Sequence, residues 1–277
     1  MTLLRHLLRS RLGALGLILV FVVVSVAIFG PFITPYNPLA QDFTSSLQHP
    51  SWEHLMGTDV FGRDILSRVM SGAHISLLIG LIAVAIGFGF GVPIGLLSGF
   101  YGGWFDVLVQ RVIDALMALP GVLLAIVIVS ILGISLQNAM IAVGVSIIPV
   151  FARLMRSSVI AIKEEEFLEA ARAIGVGQVR MLVKHVFLNA CSPVLVQISY
   201  QYASSILWAA GLSFLGLGAQ PPTPEWGAML AGGRTYIITA PHVITFPGLA
   251  MMIAILGFNL LGEALRDVLD PRVTFYK

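Results

Sequence analysis

The sequence predicts an all-α polytopic membrane protein with six transmembrane helices in a single membrane domain, residues 1–277. Hydrophobic residues make up 57% of the chain and charged residues only 11%, whereas a soluble domain carries about 25% charge. The apolar residues fall into runs close to the roughly 20 residues that cross a bilayer as a helix. The net charge of +2 and the single cysteine, Cys191, indicate neither nucleic-acid binding nor an internal disulfide.

The first predicted span covers residues 12–33 and follows a basic segment, residues 1–12, that is predicted to be cytoplasmic. A cleavable signal peptide is the alternative, because Ser25-Val26-Ala27 resembles a cleavage site. We favour a retained helix, since the apolar run continues past that site and further spans follow. Residues 34–72 are polar and contain prolines, which predicts an external loop.

The second predicted span, residues 73–100, carries three glycines at intervals of four: Gly87, Gly91 and Gly95. On a membrane helix this spacing makes a smooth face that lets another backbone approach closely. We therefore expect close helix packing here.

The third predicted span, residues 106–132, contains Arg111 and Asp114 three residues apart near one end. A mutual ion pair would lower the cost of burying them, and side chains that extend to the membrane interface are the alternative. Pro120, followed by glycine, is expected to bend this helix. The fourth predicted span covers residues 139–159.

The fifth predicted span, residues 192–217, has more polar side chains than a lipid-facing helix carries. They predict a helix that lines an aqueous path, with hydrogen bonding between helices as the alternative. The candidate path residues are Gln197, Tyr200, Gln201, Ser204 and Ser205.

Residues 218–244 form a second predicted external loop, residues 243–265 the sixth span, and residues 266–277 a cytoplasmic C-terminus. Both termini are then cytoplasmic. Of the basic residues, only Arg63, Arg68 and Arg234 fall in predicted external segments, as expected from the bias of Lys and Arg towards the cytoplasm.

Residues 160–190 form a long polar segment between two apolar spans, which we call the elbow. The spacing predicts a helix, a break at Gly175 and Gly177, and a second short helix. An ordinary cytoplasmic loop is one interpretation; a docking element for a partner is the other. The apolar stripe of the first helix is Ile160, Phe167, Ala171 and Ile174, and that of the second is Val179, Leu182, Val183, Val186 and Phe187.

The first external loop ends in a charged cluster: Asp59, Arg63, Asp64 and Arg68. We expect a charge ladder on a short helix, in which Asp64 and Arg68 are four residues apart. A solvated surface network is the alternative.

Several catalytic signatures are missing from the sequence. No Gly-Lys dipeptide occurs, which excludes a phosphate-binding P-loop, and no zinc-protease or serine-hydrolase motif is found. His49, His54 and His74 share the predicted external side, but surface histidines are favoured over a metal site. No carboxylate lies in the middle of a span, which argues against an ion-coupled transporter.

Several motifs resemble those of one family. Glu169-Ala170-Ala171, with Gly175 and a second segment beginning at His185, resembles the EAA loop of ABC importer permeases. Gly57-Thr58-Asp59 through Ser67-Arg68 resembles a signature of the peptide and nickel branch. Leu265-Arg266-Asp267-Val268-Leu269-Asp270-Pro271-Arg272 resembles the C-terminal ending of that branch. Leu188 departs from the pattern, where the family often has Pro, and His74 stands where Arg is usual.

The resemblance implies a type I ABC importer permease fold and the C-type permease subunit of a dipeptide or oligopeptide importer in the bacterial plasma (inner) membrane. It implies a second homologous permease, two ATPase subunits that bind ATP and Mg, and an extracytoplasmic substrate-binding protein. The residues that would couple this chain to the ATPase are Glu169, Ala170, Ala171 and Gly175. The resemblance also implies that the chain is not an enzyme by itself and needs no cofactor of its own. Nickel, a metallophore or glutathione are alternative solutes, and a self-sufficient channel or secondary transporter is the alternative of another class.

Overall fold

The computed structural model describes Leu7 and residues 10–269, and these residues form helices, turns and loops with one isolated antiparallel bridge between Thr58 and Asp64. The helices are α1 (Arg11–Ile33), α2 (Ile65–Tyr101), α3 (Gly103–Met117), α4 (Gly121–Leu132), α5 (Leu136–Lys163), α6 (Glu166–Ala173), α7 (Gln178–Phe214), α8 (Trp226–Gly233) and α9 (His242–Leu269). Within the described part, α2, α5 and α7 pack together at the centre, and α1 and α9 pack against each other beside them.

Helices α1, α2, α5, α7 and α9 are each long and apolar enough to cross a membrane. The third predicted span, residues 106–132, is instead two helices, α3 and α4, that meet at an angle of 90°. The expected bend is therefore present, but the expected single helix over residues 106–132 is not. Pro120, at the N-cap of α4, has no amide to continue the helix. At 12 residues, α4 is about 18 Å long, well short of the roughly 30 Å hydrocarbon core.

The glycine face of α2 packs against α5, as the spacing predicts. A Cβ added at Gly91 would lie 2.6 Å from the carbonyl oxygen of Ile148, and one at Gly95 would collide with the backbone of Ala152. Only glycine permits this approach, so the stripe holds the two helices in backbone contact.

Helix α2 begins at Ile65, eight residues before the predicted span. The Asp64 side chain accepts a hydrogen bond from the amide of Ser67 at 2.7 Å, which is the expected role of an N-cap residue. The predicted external loop of residues 34–72 therefore ends at the cap, and its last residues form the first two turns of a 37-residue helix.

The second helix of the elbow is continuous with the fifth span. Helix α7 runs from Gln178 to Phe214, and Met181–Phe187 within it is π-helical. No glycine lies between Gly177 and Gly211 to end the helix. The elbow is thus α6, a turn, and the first turns of α7, rather than two separate short helices.

The second predicted external loop contains a helix, α8, that was not predicted from the sequence. The carboxylate of Glu225 accepts hydrogen bonds from the amides of Gly227 and Ala228, both at 2.8 Å, and caps the helix. Trp226 is buried, and its indole N–H donates to the carbonyl of Val69 at 3.0 Å. Burial raises the pKa of Glu225, and the two amide hydrogen bonds oppose that shift.

Candidate coupling surface and translocation path

The turn of the elbow depends on Gly175. Its φ of +77° is left-handed, the amide of Gly175 donates to the carbonyl of Arg172 at 3.0 Å, and the amide of Val176 donates to that of Ala171 at 3.1 Å. This pair of bonds is the Schellman motif that ends a helix at a glycine. Because a side chain is strained at such a φ, Gly175 is required by the backbone rather than by close contacts.

The buried face of α6 differs from the predicted one. Leu168 and Ala171 are buried and join a cluster with Met181 and Val186 of α7. Phe167 and the other predicted stripe residues, Ala171 excepted, are exposed. Both rows have helical spacing in so short a helix, so spacing alone could not decide which one faces the protein.

The outward side of the elbow is apolar. Ile174 is 81% exposed, Val179 is 74% exposed, and Phe167 and Val183 are also exposed. Of the second predicted stripe, only Val186 is fully buried. The wide turns of the π-helical segment change which side chains share a face, so α-helical spacing mispredicts it. Exposed apolar side chains on a structured element are typical of a surface that binds a partner.

The family-motif residues of the elbow lie on or beside this surface. Glu169 and Ala170 are exposed, Ala171 is buried against the bundle, and Gly175 makes the turn. Their role in coupling stays a prediction.

Three contacts tie the end of α5, just before the elbow, to its neighbours. Arg156 donates to both carboxylate oxygens of Asp106 in α3, at 2.6 and 2.5 Å. Arg153 pairs with Asp114 of α3 at 2.5 Å. Lys163 donates to the carbonyl of Phe100, in the last turn of α2, at 2.8 Å. These contacts connect the end of α5 directly to α3 and α2.

The predicted pair between Arg111 and Asp114 is wrong, because Asp114 pairs with Arg153 instead. The true partner lies 39 residues away in sequence. Spacing along one helix gives no information about a neighbour on another helix.

Two of the predicted path residues line a cavity. Gln197 and Tyr200 border a space of about 560 Å³ between α5, α7 and α9, which Arg266 also lines. The Tyr200 hydroxyl donates to the carboxylate of Glu263 at 2.7 Å, which joins α7 to α9 at the cavity. Ser204 lies one turn further along α7 and is partly exposed.

The other two predicted path residues point elsewhere. Gln201 and Ser205 are buried, and their side-chain oxygens have no hydrogen-bond partner within the described residues. The open side of α7 continues instead through Leu207, which is exposed, and Gly211, where an added Cβ would meet nothing within 4 Å. The assignment of all five residues to a path stays a prediction.

The charged cluster of the first predicted external loop is buried rather than solvated. Asp59 pairs with Arg63 at 2.7 Å and lies 3.5 Å from Nε of Arg68, and all three residues are buried. The guanidinium of Arg68 also donates to the carbonyl of Pro38 at 2.9 Å.

The ladder contact between Asp64 and Arg68 is not formed. Asp64 contacts His54 Nδ1 at 3.0 Å and caps α2 through Ser67. An N-cap carboxylate turns back to its own backbone, so it cannot also reach a residue one turn into the helix.

The three histidines of the predicted external side lie apart from one another. His54 contacts Asp64, the Nδ1 of His74 lies 3.3 Å from the carbonyl oxygen of Ala27, and the ring of His49 lies beside that of His242. Within residues 10–269, no group of three or more potential ligands could hold a metal ion.

Solved structures share the fold. A chain in the inward-facing structure of the MetNI methionine ABC transporter aligns with a TM-score of 0.58 and 20% identity, covering 73% of this chain and 96% of the other. A chain in the crystal structure of an amino acid ABC transporter with histidines aligns with a TM-score of 0.55 and 16% identity, covering 71% and 91%. The fold class is therefore confirmed as that of the type I ABC importer permeases.

Sequence relatives narrow the class further. The family described as the binding-protein-dependent transport system inner membrane component matches residues 91–275, and the N-terminal TM domain of oligopeptide transport permease C matches residues 2–50. A dipeptide transport system permease protein from Alkalihalophilus pseudofirmus is 45% identical over 269 residues, covering 97% of this chain and 88% of the relative. A glutathione transport system permease protein from Escherichia coli is 45% identical over 270 residues, covering 97% and 89%.

The chain belongs to the family of inner membrane components of binding-protein-dependent transport systems, in the branch of the dipeptide and oligopeptide permeases. It is a multi-pass inner membrane permease subunit, and it works in a transporter complex with ATPase and binding-protein partners. The resemblance drawn from the motifs is thereby confirmed.

Proposed function

We propose that this chain forms half of the translocation path for dipeptides and oligopeptides in an ATP-driven importer of the plasma membrane. A second, homologous permease forms the other half, two ATPase subunits bind ATP and Mg, and an extracytoplasmic binding protein delivers the solute. Both termini are cytoplasmic. The names of two relatives at 45% identity, one for dipeptide and one for glutathione transport, support a small peptide-like solute.

The observation that carries the coupling role is the exposed apolar side of the elbow. Ile174 and Val179 present their side chains outward, whereas Leu168 and Ala171 fix α6 to the bundle. A short helix with one face anchored and the other apolar and exposed fits a groove on a partner. Contacts from Arg156 and Lys163 then pass the motion of the elbow to the spans.

The mechanism is alternating access. ATP closes the ATPase pair, the elbows move with it, and the permease pair opens outward to accept the solute. Hydrolysis returns the inward-facing state, in which the cavity beside Gln197 and Tyr200 releases the solute to the cytoplasm. The permease helices move as rigid elements between two arrangements, so ATP binding changes which side of the membrane has access to the translocation path.

The experiment is uptake by the purified complex reconstituted into lipid vesicles. We expect ATP-dependent accumulation of labelled alanylalanine, and competition by glutathione tests the second solute. Gly175→Ala should reduce uptake while the subunit stays in the membrane, because the left-handed turn is strained. Gly177→Ala is the matched control, since Gly177 has a φ of −63° and open space around it.

Uptake that proceeds without ATP, or that this chain supports alone, would contradict the proposal and favour a channel or secondary transporter. Loss of the subunit from the membrane in Gly175→Ala would assign Gly175 to folding instead of coupling.

A further inference from the structure

A small cavity of about 130 Å³ lies between the first external loop and the segment that contains α8 and the start of α9. Its walls are mainly apolar and include Met229, Gly232 and Val243. Asp59, Arg63 and Arg68 supply its charged lining, and Thr223 is a further polar residue in its wall. The cavity therefore combines an apolar enclosure with a charged group of side chains.

The charges at this cavity do not balance. Two guanidinium groups face one carboxylate, and all three residues are buried. Both oxygens of Asp59 are already in use: one accepts from the amides of Phe61 and Arg63, at 2.9 and 3.0 Å, and the other from Nε of Arg63 at 2.7 Å.

No second carboxylate of the described loop neutralises the excess charge. Asp64, the nearest along the chain, is engaged by His54 and by Ser67 and does not line the cavity. Arg68 donates to the carbonyl oxygens of Pro38 and Pro222, at 2.9 and 3.4 Å, but these oxygens carry no net charge. A buried cation without a matching anion is costly, so an anion that enters the cavity offsets the excess positive charge.

The chemistry of the lining favours a carboxylate. A guanidinium is planar and presents paired N–H donors that match the two oxygens of a carboxylate. The apolar walls suit the small side chain that is attached to it. Because the cavity is small, at about 130 Å³, it suits a small molecule rather than the surface of a protein.

We propose that this cavity binds the carboxylate of a small solute on the external side, and that its ligand is the C-terminal carboxylate of the imported peptide. The source of the carboxylate rests on the proposed function. Arg68 belongs to α2 and Met229 to α8, so an occupied cavity joins the first external loop, α2 and the second external segment through one ligand.

The test is saturation-transfer NMR on the full chain in lipid nanodiscs, with alanylalanine, its C-terminal amide and acetate as probes. Alanylalanine should receive saturation, acetate should displace it, and the amide should bind at least about tenfold more weakly, as expected for a lost charged hydrogen bond. Arg63→Gln should weaken alanylalanine binding by a similar factor.

Gly232→Leu tests the site without touching the charged residues. An added Cβ at Gly232 meets nothing within 4 Å, so a leucine is tolerated there. Because Gly232 lines the cavity, we expect the leucine side chain to take up the space that a ligand needs. Gly89→Leu is the matched control, because Gly89 is exposed on α2 and equally free of contacts. We expect binding to be lost in Gly232→Leu and retained in Gly89→Leu.

The proposal is overturned if the amide binds as well as the acid, if Gly232→Leu binds like the wild type, or if no probe binds to the wild type. Equal affinity for acetate and alanylalanine would overturn the assignment to a peptide. The assay needs neither ATP nor uptake, so the site can fail while import holds, and import can fail while the site holds.

Discussion

Two ion pairs join α3 to α5, and their burial predicts unequal contributions to the free energy of unfolding. The side chains of Arg156 and Asp106 are 29% and 15% exposed and form two hydrogen bonds. Those of Arg153 and Asp114 are 47% and 56% exposed. The second pair lies on the same two helices, so it is a matched control for the first.

Charged hydrogen bonds in a partly buried pair contribute about 1.5–3 kcal/mol. An exposed pair contributes at most about 1 kcal/mol, because water and salt screen it. We therefore expect a coupling energy of roughly 2 kcal/mol between Arg156 and Asp106 and below about 1 kcal/mol between Arg153 and Asp114.

The assay is a pair of double-mutant cycles, with Asp106→Asn and Arg156→Gln in one and Asp114→Asn and Arg153→Gln in the other. Unfolding by sodium dodecyl sulfate in mixed micelles can be followed by the fluorescence of the four tryptophans. Equal coupling in the two cycles, or a larger value for the exposed pair, would refute the reasoning from burial.

Three further predictions concern separate parts of the chain. Gly91→Leu should prevent close packing of α2 on α5 and abolish the folded subunit in size-exclusion chromatography, whereas Gly89→Leu should behave like the wild type; a folded Gly91→Leu would disprove the backbone contact. In a background with Cys191 replaced by Ser, we compare Ser204→Cys with Gln201→Cys. Ser204→Cys should react faster with a thiol reagent, because Gln201 is only 8% exposed. Equal reaction rates in every transport state would contradict the burial of Gln201. Hydrogen bonds from Thr44 and Ser45 lower the pKa of Asp42. The stability that these bonds give to the turn should be present at neutral pH and lost as the pH falls through the lowered pKa. An ordinary carboxyl pKa for Asp42, measured by NMR, would show that the bonds are absent.

The long apolar helices and the local backbone features could be predicted from the sequence. The long spans follow from apolar length alone, and the packing of Gly91 follows from glycine spacing. Gly175 ends α6 as its residue type predicts. These features depend on residues that are close together in the sequence, so a single sequence is enough to predict them.

Contacts between distant segments were not readable. Asp114 pairs across 39 residues with Arg153, and the Asp59 cluster is buried by loops whose approach no local pattern encodes. The buried row of α6 was mispredicted because Leu168 and Phe167 both fit a helical stripe, and only the position of α7 selects Leu168. The 90° angle between α3 and α4 likewise depends on their packing against other helices.

The proposed coupling role requires that the exposed apolar side of the elbow binds the ATPase subunits. The most direct measurement is affinity purification of the tagged chain in mild detergent, scored for ATPase activity and for a second permease. The test variant is Ile174→Ser combined with Val179→Ser. The matched control is Ile238→Ser, because Ile238 is 91% exposed in the predicted external segment.

We predict that the wild type and Ile238→Ser retain both the ATPase and the second permease. The double elbow variant should lose ATPase activity and keep the second permease. Two results would contradict the proposed coupling role. One is that the double variant retains full ATPase activity. The other is that the wild type purifies as a stable oligomer of this chain alone that has transport activity.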